Sequence, residues 1–159
     1  MKSKDIVRLL GAVILCEGCG IIGSLFTAPS VPTWYASLTK PSFNPPDWIF
    51  SPVWIALFFL MGISLFLVIR EGFKKREVKL AVWVFAVQLV LNVLWTLIFF
   101  GLKAPLAAFI EIILLWIAIL VTIIRFFPIS RLAGYLLIPY IAWVSFAALL
   151  NISIFILNS

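Results

Sequence analysis

Apolar residues fall in five long blocks along this chain, at about 6–26, 48–69, 80–102, 104–124 and 132–157. Short polar or proline-containing breaks separate them. Inside the blocks ionisable residues are nearly absent: the first carries Arg8 and Glu17, the fourth Glu111, and the others none. Each block is about 20 residues or longer, which as a helix crosses a hydrocarbon core of roughly 30 Å. Runs such as Leu57-Phe58-Phe59-Leu60-Met61 are apolar on every side, without the alternation of a membrane barrel. In lipid the backbone must satisfy its own hydrogen bonds, which leaves helices. The pattern predicts an all-α integral membrane protein. It is a single domain over residues 1–159, a bundle of five transmembrane helices with a long Pro-rich loop between helices 1 and 2.

Composition excludes the alternatives. Hydrophobic residues make up 65% of the chain and charged residues 11%, with a mean hydropathy of +1.23. A soluble domain carries about 25% charged residues, so a soluble enzyme, a nucleic-acid reader and a disordered tail are all set aside. The net charge of +6 is explained by where the bases lie. With five spans, one face takes Lys2, Lys4, Arg8, Arg70, Lys74, Lys75, Arg76, Lys79, Arg125 and Arg131, and the other takes only Lys40 and Lys103. By the positive-inside rule this predicts a multi-pass protein of the cell membrane, its N-terminus cytoplasmic and its C-terminus outside. Lys74-Lys75-Arg76 then reads as a topology anchor. Lys2, Lys4 and Arg8 before an apolar run resemble a signal peptide, but no A-x-A-like site follows, so residues 1–26 are kept as the first span.

The breaks differ in kind. Between the third and fourth blocks stands little more than Gly101-Leu102-Lys103-Ala104-Pro105, which predicts adjacent antiparallel helices. Residues 27–47 are a long connection, and six of the nine prolines lie between Pro29 and Pro52. Proline fixes φ and restricts the residue before it, so this loop should hold a shape. Trp34 and Tyr35 read either as interface anchors or as part of a semi-rigid lid over a cavity between the helices. Both readings can hold together.

Polar and aromatic residues recur at helical spacing. Gln88, Asn92, Trp95 and Phe99 share one face of the third helix, and Tyr140, Trp143, Ala147 and Asn151 share one face of the fifth. Amides on a lipid-facing stripe are costly, so these faces should point inward. There they either bond between helices or meet a ligand's polar group. Trp54 and Trp95 fall toward the outer half and Trp143 nearer mid-depth, too deep for an interface belt. Such an inward aromatic cage with a few amides suits a flat, mostly apolar, π-rich ligand. Glu17 and Glu111 are the acids within the spans, with no base at matching depth. Cys16 and Cys19, without histidine or further cysteine, make a poor metal site. Cys16, Gly20, Ser24 and Cys19, Gly23, Thr27 have small-xxx-small spacing, which fits close packing inside the bundle or a homodimer seam. The chain has no histidine, which removes Ser-His-Asp and Cys-His nucleophiles.

Several of these blocks together resemble the tryptophan-rich sensory protein family, also called the translocator protein or peripheral-type benzodiazepine receptor family (TspO/MBR). They are Trp34-Tyr35-x-x-Leu38-x-Lys40-Pro41, Pro45-Pro46-x-Trp48, Pro52-Val53-Trp54, Gln88-Leu89-x-Leu91-Asn92-x-x-Trp95, Phe99-Phe100-Gly101 and Pro139-Tyr140-x-x-Trp143 through Asn151. The resemblance implies a five-helix bundle, often a homodimer, that binds tetrapyrroles such as protoporphyrin IX and benzodiazepine-type drugs under the loop. Carried over by motif, the ligand-binding residues are Tyr35, Pro46, Trp54, Asn92, Trp95, Trp143, Ser145, Ala147 and Asn151. The resemblance also implies light-dependent oxidative degradation of protoporphyrin IX, for which Trp54 and Trp143 are the catalytic candidates. No cofactor is implied, since porphyrin is ligand or substrate, and no metal or nucleic acid. A tetrapyrrole transporter, a binding-only stress sensor and a packing module are the competing readings. One departure stands out. Where animal members carry aromatic and basic residues in a segment associated with cholesterol, this chain has Ile152-Ser153-Ile154-Phe155-Ile156, which argues against sterol binding.

Overall fold

The computed structural model describes residues 1–159. It contains five helical stretches long and apolar enough to cross a membrane and no strands, so the chain is an all-α, multi-pass membrane protein. The helices are α1 (Ser3–Ser30), α2 (Phe50–Arg70), α3 (Arg76–Thr96), α4 (Pro105–Phe126), α5 (Arg131–Leu136) and α6 (Ile138–Asn158). The short α5 and α6 together form the fifth span.

Two of the spans end differently from the sequence expectation. The first was expected to stop near residue 26, yet α1 runs to Ser30 and continues as a π-helical turn over Val31–Tyr35. Pro29 and Pro32 lack the N–H that an α-helical ladder needs, and the wider turn carries the chain past them. Thr33 adds a bond from its hydroxyl to the Pro29 carbonyl (2.7 Å). Only residues 38–46 lie outside regular helix before the 3₁₀ turn Asp47–Ile49 that leads into α2. The fifth span, expected as one helix from 132 to 157, breaks at Leu137. Pro139 follows two residues later and cannot donate to Tyr135, so the ladder is interrupted there.

In cross-section the spans form a closed ring. α1 packs on α2 and α3, α3 on α4, and α4 on α6, while α2 meets the fifth span chiefly through α5. The ring is tight at the end that carries most of the lysines and arginines. Gly62 sits so close to α1 that a Cβ there would lie 2.6 Å from the Val13 Cα. Phe85 and Phe126 stack at 5.8 Å and 11°. The Ser64 hydroxyl donates to the Ala133 carbonyl across α2 and α5 (2.7 Å). Lipid tails are as apolar as these side chains, so close packing and interhelical hydrogen bonds hold such a bundle together.

Toward the opposite end, α2 and α6 part. α2 packs on α5 but not closely on α6, and aromatic side chains bridge the gap: Phe50 meets Trp143 at 6.0 Å and Trp54 meets Tyr140 at 6.5 Å. That wedge positions the candidate site.

Candidate functional site

The wedge encloses a cavity of about 490 Å³, walled by α1, α2, α3, α6 and the two π turns. Its size falls among pockets that take drug-sized ligands, roughly 300–1,000 Å³. Two π turns meet at its rim. Val31–Tyr35 ends the first span and Leu97–Gly101 ends the third. They are tied by the Ser30 hydroxyl donating to the Phe100 carbonyl (2.8 Å) and by Trp34 and Tyr35 packing on Phe99 at 5.6 and 6.4 Å. π turns are uncommon and frequently mark functional sites, because they redirect side chains by one position.

The third helix contributes its polar face. Gln88, Asn92 and Phe99 are buried and Trp95 is half-buried, as the helical spacing requires. The two amides bond between helices, the first of the two roles their spacing allowed. Asn92 Nδ2 donates to the Tyr140 hydroxyl (2.7 Å), which donates to Gln88 Oε1 (2.8 Å), and Gln88 Nε2 points at Met61 Sδ (3.8 Å). Gln88 lies below the cavity, whereas Asn92 forms part of its wall. Trp95 lines the wall as well, its indole N–H donating to Asn151 Oδ1 (3.0 Å), while Asn151 Nδ2 donates to the Pro105 carbonyl (2.7 Å).

On α6 the phase of the helix decides which residues reach the cavity. Trp143, Ala147, Leu150, Asn151 and Ile154 line it, at i, i+4, i+7, i+8 and i+11. Ser145 does not. Two residues from Trp143 is about 200° around the helix, so Ser145 is exposed on the far side, accepting from the Trp116 indole N–H (2.8 Å) and donating to the Ile141 carbonyl (2.8 Å). Pro46 is also absent from the wall. It is exposed and precedes the 3₁₀ turn, whose first residue, Asp47, takes the place at the mouth.

Tyr35 and Trp54 complete the aromatic lining. Tyr35 is buried; its hydroxyl donates to Asn44 Oδ1 (3.0 Å) and the Lys40 ammonium lies over its ring at 4.9 Å. The segment 38–46 is therefore held down from below. It is also held at its side, where the Asn158 amide accepts from the Thr39 N–H (2.9 Å) and donates to the Thr39 carbonyl (2.8 Å). The indole N–H of Trp143 is buried without a hydrogen-bond partner, whereas that of Trp95 is bonded to Asn151.

Several wall residues escaped the sequence reading. Gly20 and Gly23 turn inward, where a Cβ would lie 2.8 Å from the Phe58 ring and 3.4 Å from Thr96 Oγ1. Small-residue spacing marked them but cannot tell an inner face from a seam between copies. Thr96 follows Asn92 by one turn, a signal that was present and not used. Glu17 lines the cavity, half-buried. Glu111 does not; it is buried on α4 with neither carboxylate oxygen hydrogen-bonded. Cys16 is buried in the core and Cys19 half-buried at the wall, both free thiols.

Comparison with known proteins agrees with this architecture. The TspO/MBR family model matches residues 12–157. The chain belongs to the TspO/MBR family. It is 47% identical over 156 residues to the tryptophan-rich protein TspO of Chlorobaculum tepidum, covering 98% of this chain and 99% of that protein. It is 38% identical to the human translocator protein, over 84% of this chain and 79% of the relative. The tryptophan-rich sensory protein of Cereibacter sphaeroides is 36% identical, over 79% and 77% of the two chains. In this TspO/MBR protein, seven of the nine ligand-binding residues that the motifs suggested line one cavity, and Pro46 and Ser145 do not.

Proposed function

We propose that this protein is a membrane receptor or sensor for tetrapyrroles. It takes protoporphyrin IX or a related flat aromatic, including benzodiazepine-type ligands, into the aromatic cavity and promotes the light-dependent oxidative degradation of the porphyrin. The observation that carries this reading is the convergence of Tyr35, Trp54, Trp95 and Trp143 from four separate chain segments on one cavity of about 490 Å³. The names of its relatives, sensory and translocator proteins, support a receptor or sensor role. The distribution of bases supports a cytoplasmic N-terminus in a cell membrane.

The chemistry follows from what lines the wall. There is no histidine, so proton transfer in the hydrolytic manner is not the route. Light excites the bound porphyrin, and dissolved dioxygen supplies the oxidising equivalents. The excited ring passes an electron to dioxygen, giving a porphyrin radical cation and superoxide whose combination oxidises the ring. Trp54 and Trp143, electron-rich and in the wall, are placed to relay that electron.

Purified full-length protein mixed with protoporphyrin IX tests this. Tryptophan fluorescence should quench on binding, and porphyrin absorbance should fall under light and hold in the dark. Absence of quenching removes the cavity reading. Quenching without light-dependent loss leaves a binding-only sensor or a transporter. Trp143→Phe and Trp54→Phe should each slow the light-dependent loss several-fold while the protein stays folded; unchanged rates in both would move the chemistry elsewhere.

A further inference from the structure

The charge of the cavity wall is one-sided. Among the residues that line it are two acids, Glu17 and Asp47, and no lysine or arginine. Asp47 is exposed at the mouth, at the start of the 3₁₀ turn, but Glu17 lies well inside the first span and is half-buried against the cavity. Neither is neutralised by the protein, because the molecule's one ion pair joins Arg8 to Asp5 (3.9 Å). The nearest base to the cavity's aromatic lining is Lys40, which sits over the Tyr35 ring and donates to the Leu38 carbonyl (3.3 Å). The remaining polar side chains of the lining, among them Ser24, Ser51, Asn92 and Asn151, are neutral, and the aromatic faces add quadrupoles that are negative above the ring. A carboxylate within an aromatic enclosure favours a cation, through charge pairing in a low-dielectric setting and through cation–π attraction. An intramembrane acid without a partner is a functional residue by default, and here it faces open space that a ligand can fill.

We propose that Glu17 is a specificity-determining residue, which makes the cavity prefer flat aromatic ligands bearing a protonated amine over neutral or anionic ones of the same shape. This rests on the reading that the cavity binds flat aromatics. A porphyrin bearing carboxylates then keeps them in solvent, away from Glu17, while an amine-bearing ring can place its charge against Glu17.

Three probes of one shape separate the terms: protoporphyrin IX, its neutral dimethyl ester, and its bis(2-aminoethyl) amide, which carries two ammonium groups. Each is titrated into the full-length protein in a neutral detergent, with tryptophan quenching as the readout. The amide should bind about tenfold more tightly than the ester. Glu17→Gln should abolish that advantage, with an unchanged thermal unfolding midpoint in detergent showing that the variant is folded. Glu71→Gln, an exposed acid at the basic end, should preserve it, separating a local effect from net charge. If no probe quenches, the cavity reading falls and this inference with it. If the ester binds and the amide gains nothing, or its gain survives Glu17→Gln, the assignment of Glu17 is overturned while the cavity reading stands.

Discussion

The same helices build two unlike halves. At the basic end, α1 and α2 touch backbone to side chain at Gly62 and Val13, Phe85 stacks on Phe126, and Met61, Val68, Val78, Ala81 and Ile119 are fully buried. At the other end, Tyr35, Trp54, Trp95 and Trp143 line a cavity. The contrast teaches where binding capacity comes from in an apolar protein. Lipid offers no hydrophobic driving force between helices, so a cavity persists only where something else keeps the helices apart. Here that work falls on the hydrogen-bonded set Gln88, Asn92, Tyr140, Trp95 and Asn151, and on the tight end that fixes the helix angles.

The sharpest way to break the contrast is to spoil the tight half. Gly62→Leu places a side chain where even a Cβ meets the Val13 backbone, and overpacking against backbone has no soft escape. Stability should fall by about 3 kcal/mol or more, read as a large drop in the thermal unfolding midpoint in detergent. Gly20→Ala, whose new methyl meets the edge of the Phe58 ring beside the cavity, should cost far less, since the ring can turn into open space. Equal losses at the two glycines would mean that the halves are not packed differently.

Next in size is the floor of the cavity. Tyr140→Phe removes a hydroxyl that accepts from Asn92 and donates to Gln88, leaving both amides short of a partner in a buried site. The expected cost is about 2 kcal/mol, measured by the same unfolding midpoint. A change within error would show that the amides find other partners, and that the network does not hold the cavity open.

How far the sequence foretold these halves depends on which interaction decides each feature. The spans were legible because length and uninterrupted apolarity are one-dimensional properties, and so were the inward faces of α3 and α6, because 3.6-residue spacing needs no neighbour to define it. Tyr140 was placed on the right face, but its role as a hydrogen-bond hub depends on which helix stands opposite, which spacing does not carry. The first π turn escaped because it is a matter of hydrogen-bond register at Pro29 and Pro32, where the loop was expected to begin, and the second, Leu97–Gly101, because no residue type in it marks a change of register. Gly20, Gly23 and Glu17 stood out in the sequence but their side of the helix did not, because α1 is apolar nearly all round and only the tertiary contact to Phe58 and Thr96 decides which side is in. Ser145 is the opposite case, since the motif suggested it and the helical phase already argued against it.

Glu111 gives a smaller effect with a reversed sign. Its carboxylate is buried on α4 with neither oxygen bonded, outside the cavity and without the ligand-facing space that Glu17 has. A dry, unpartnered polar group is a cost to the fold, so Glu111→Leu, similar in size, should raise stability by about 1 kcal/mol and leave porphyrin quenching unchanged. A loss of binding would tie this acid to the cavity after all, and a loss of stability would mean that it is partnered by a group the static structure does not pair with it.

The smallest expected effect is the most discriminating for the site. Ser145 and Ala147 are neighbours in sequence and lie on opposite sides of α6, one exposed beside Trp116, the other in the cavity wall. Ser145→Ala removes a hydroxyl that accepts from the Trp116 indole, an exposed contact expected to contribute about 0.5 kcal/mol to stability, and should leave porphyrin affinity where it was. Ala147→Leu, which adds bulk to the wall, should weaken porphyrin binding at least tenfold in the same titration. The pair turns helical phase into a measurement. If Ser145→Ala weakens binding more than Ala147→Leu does, the face that α6 turns toward the ligand is not the one that carries Trp143, and the cavity between α2 and α6 is not where the porphyrin sits.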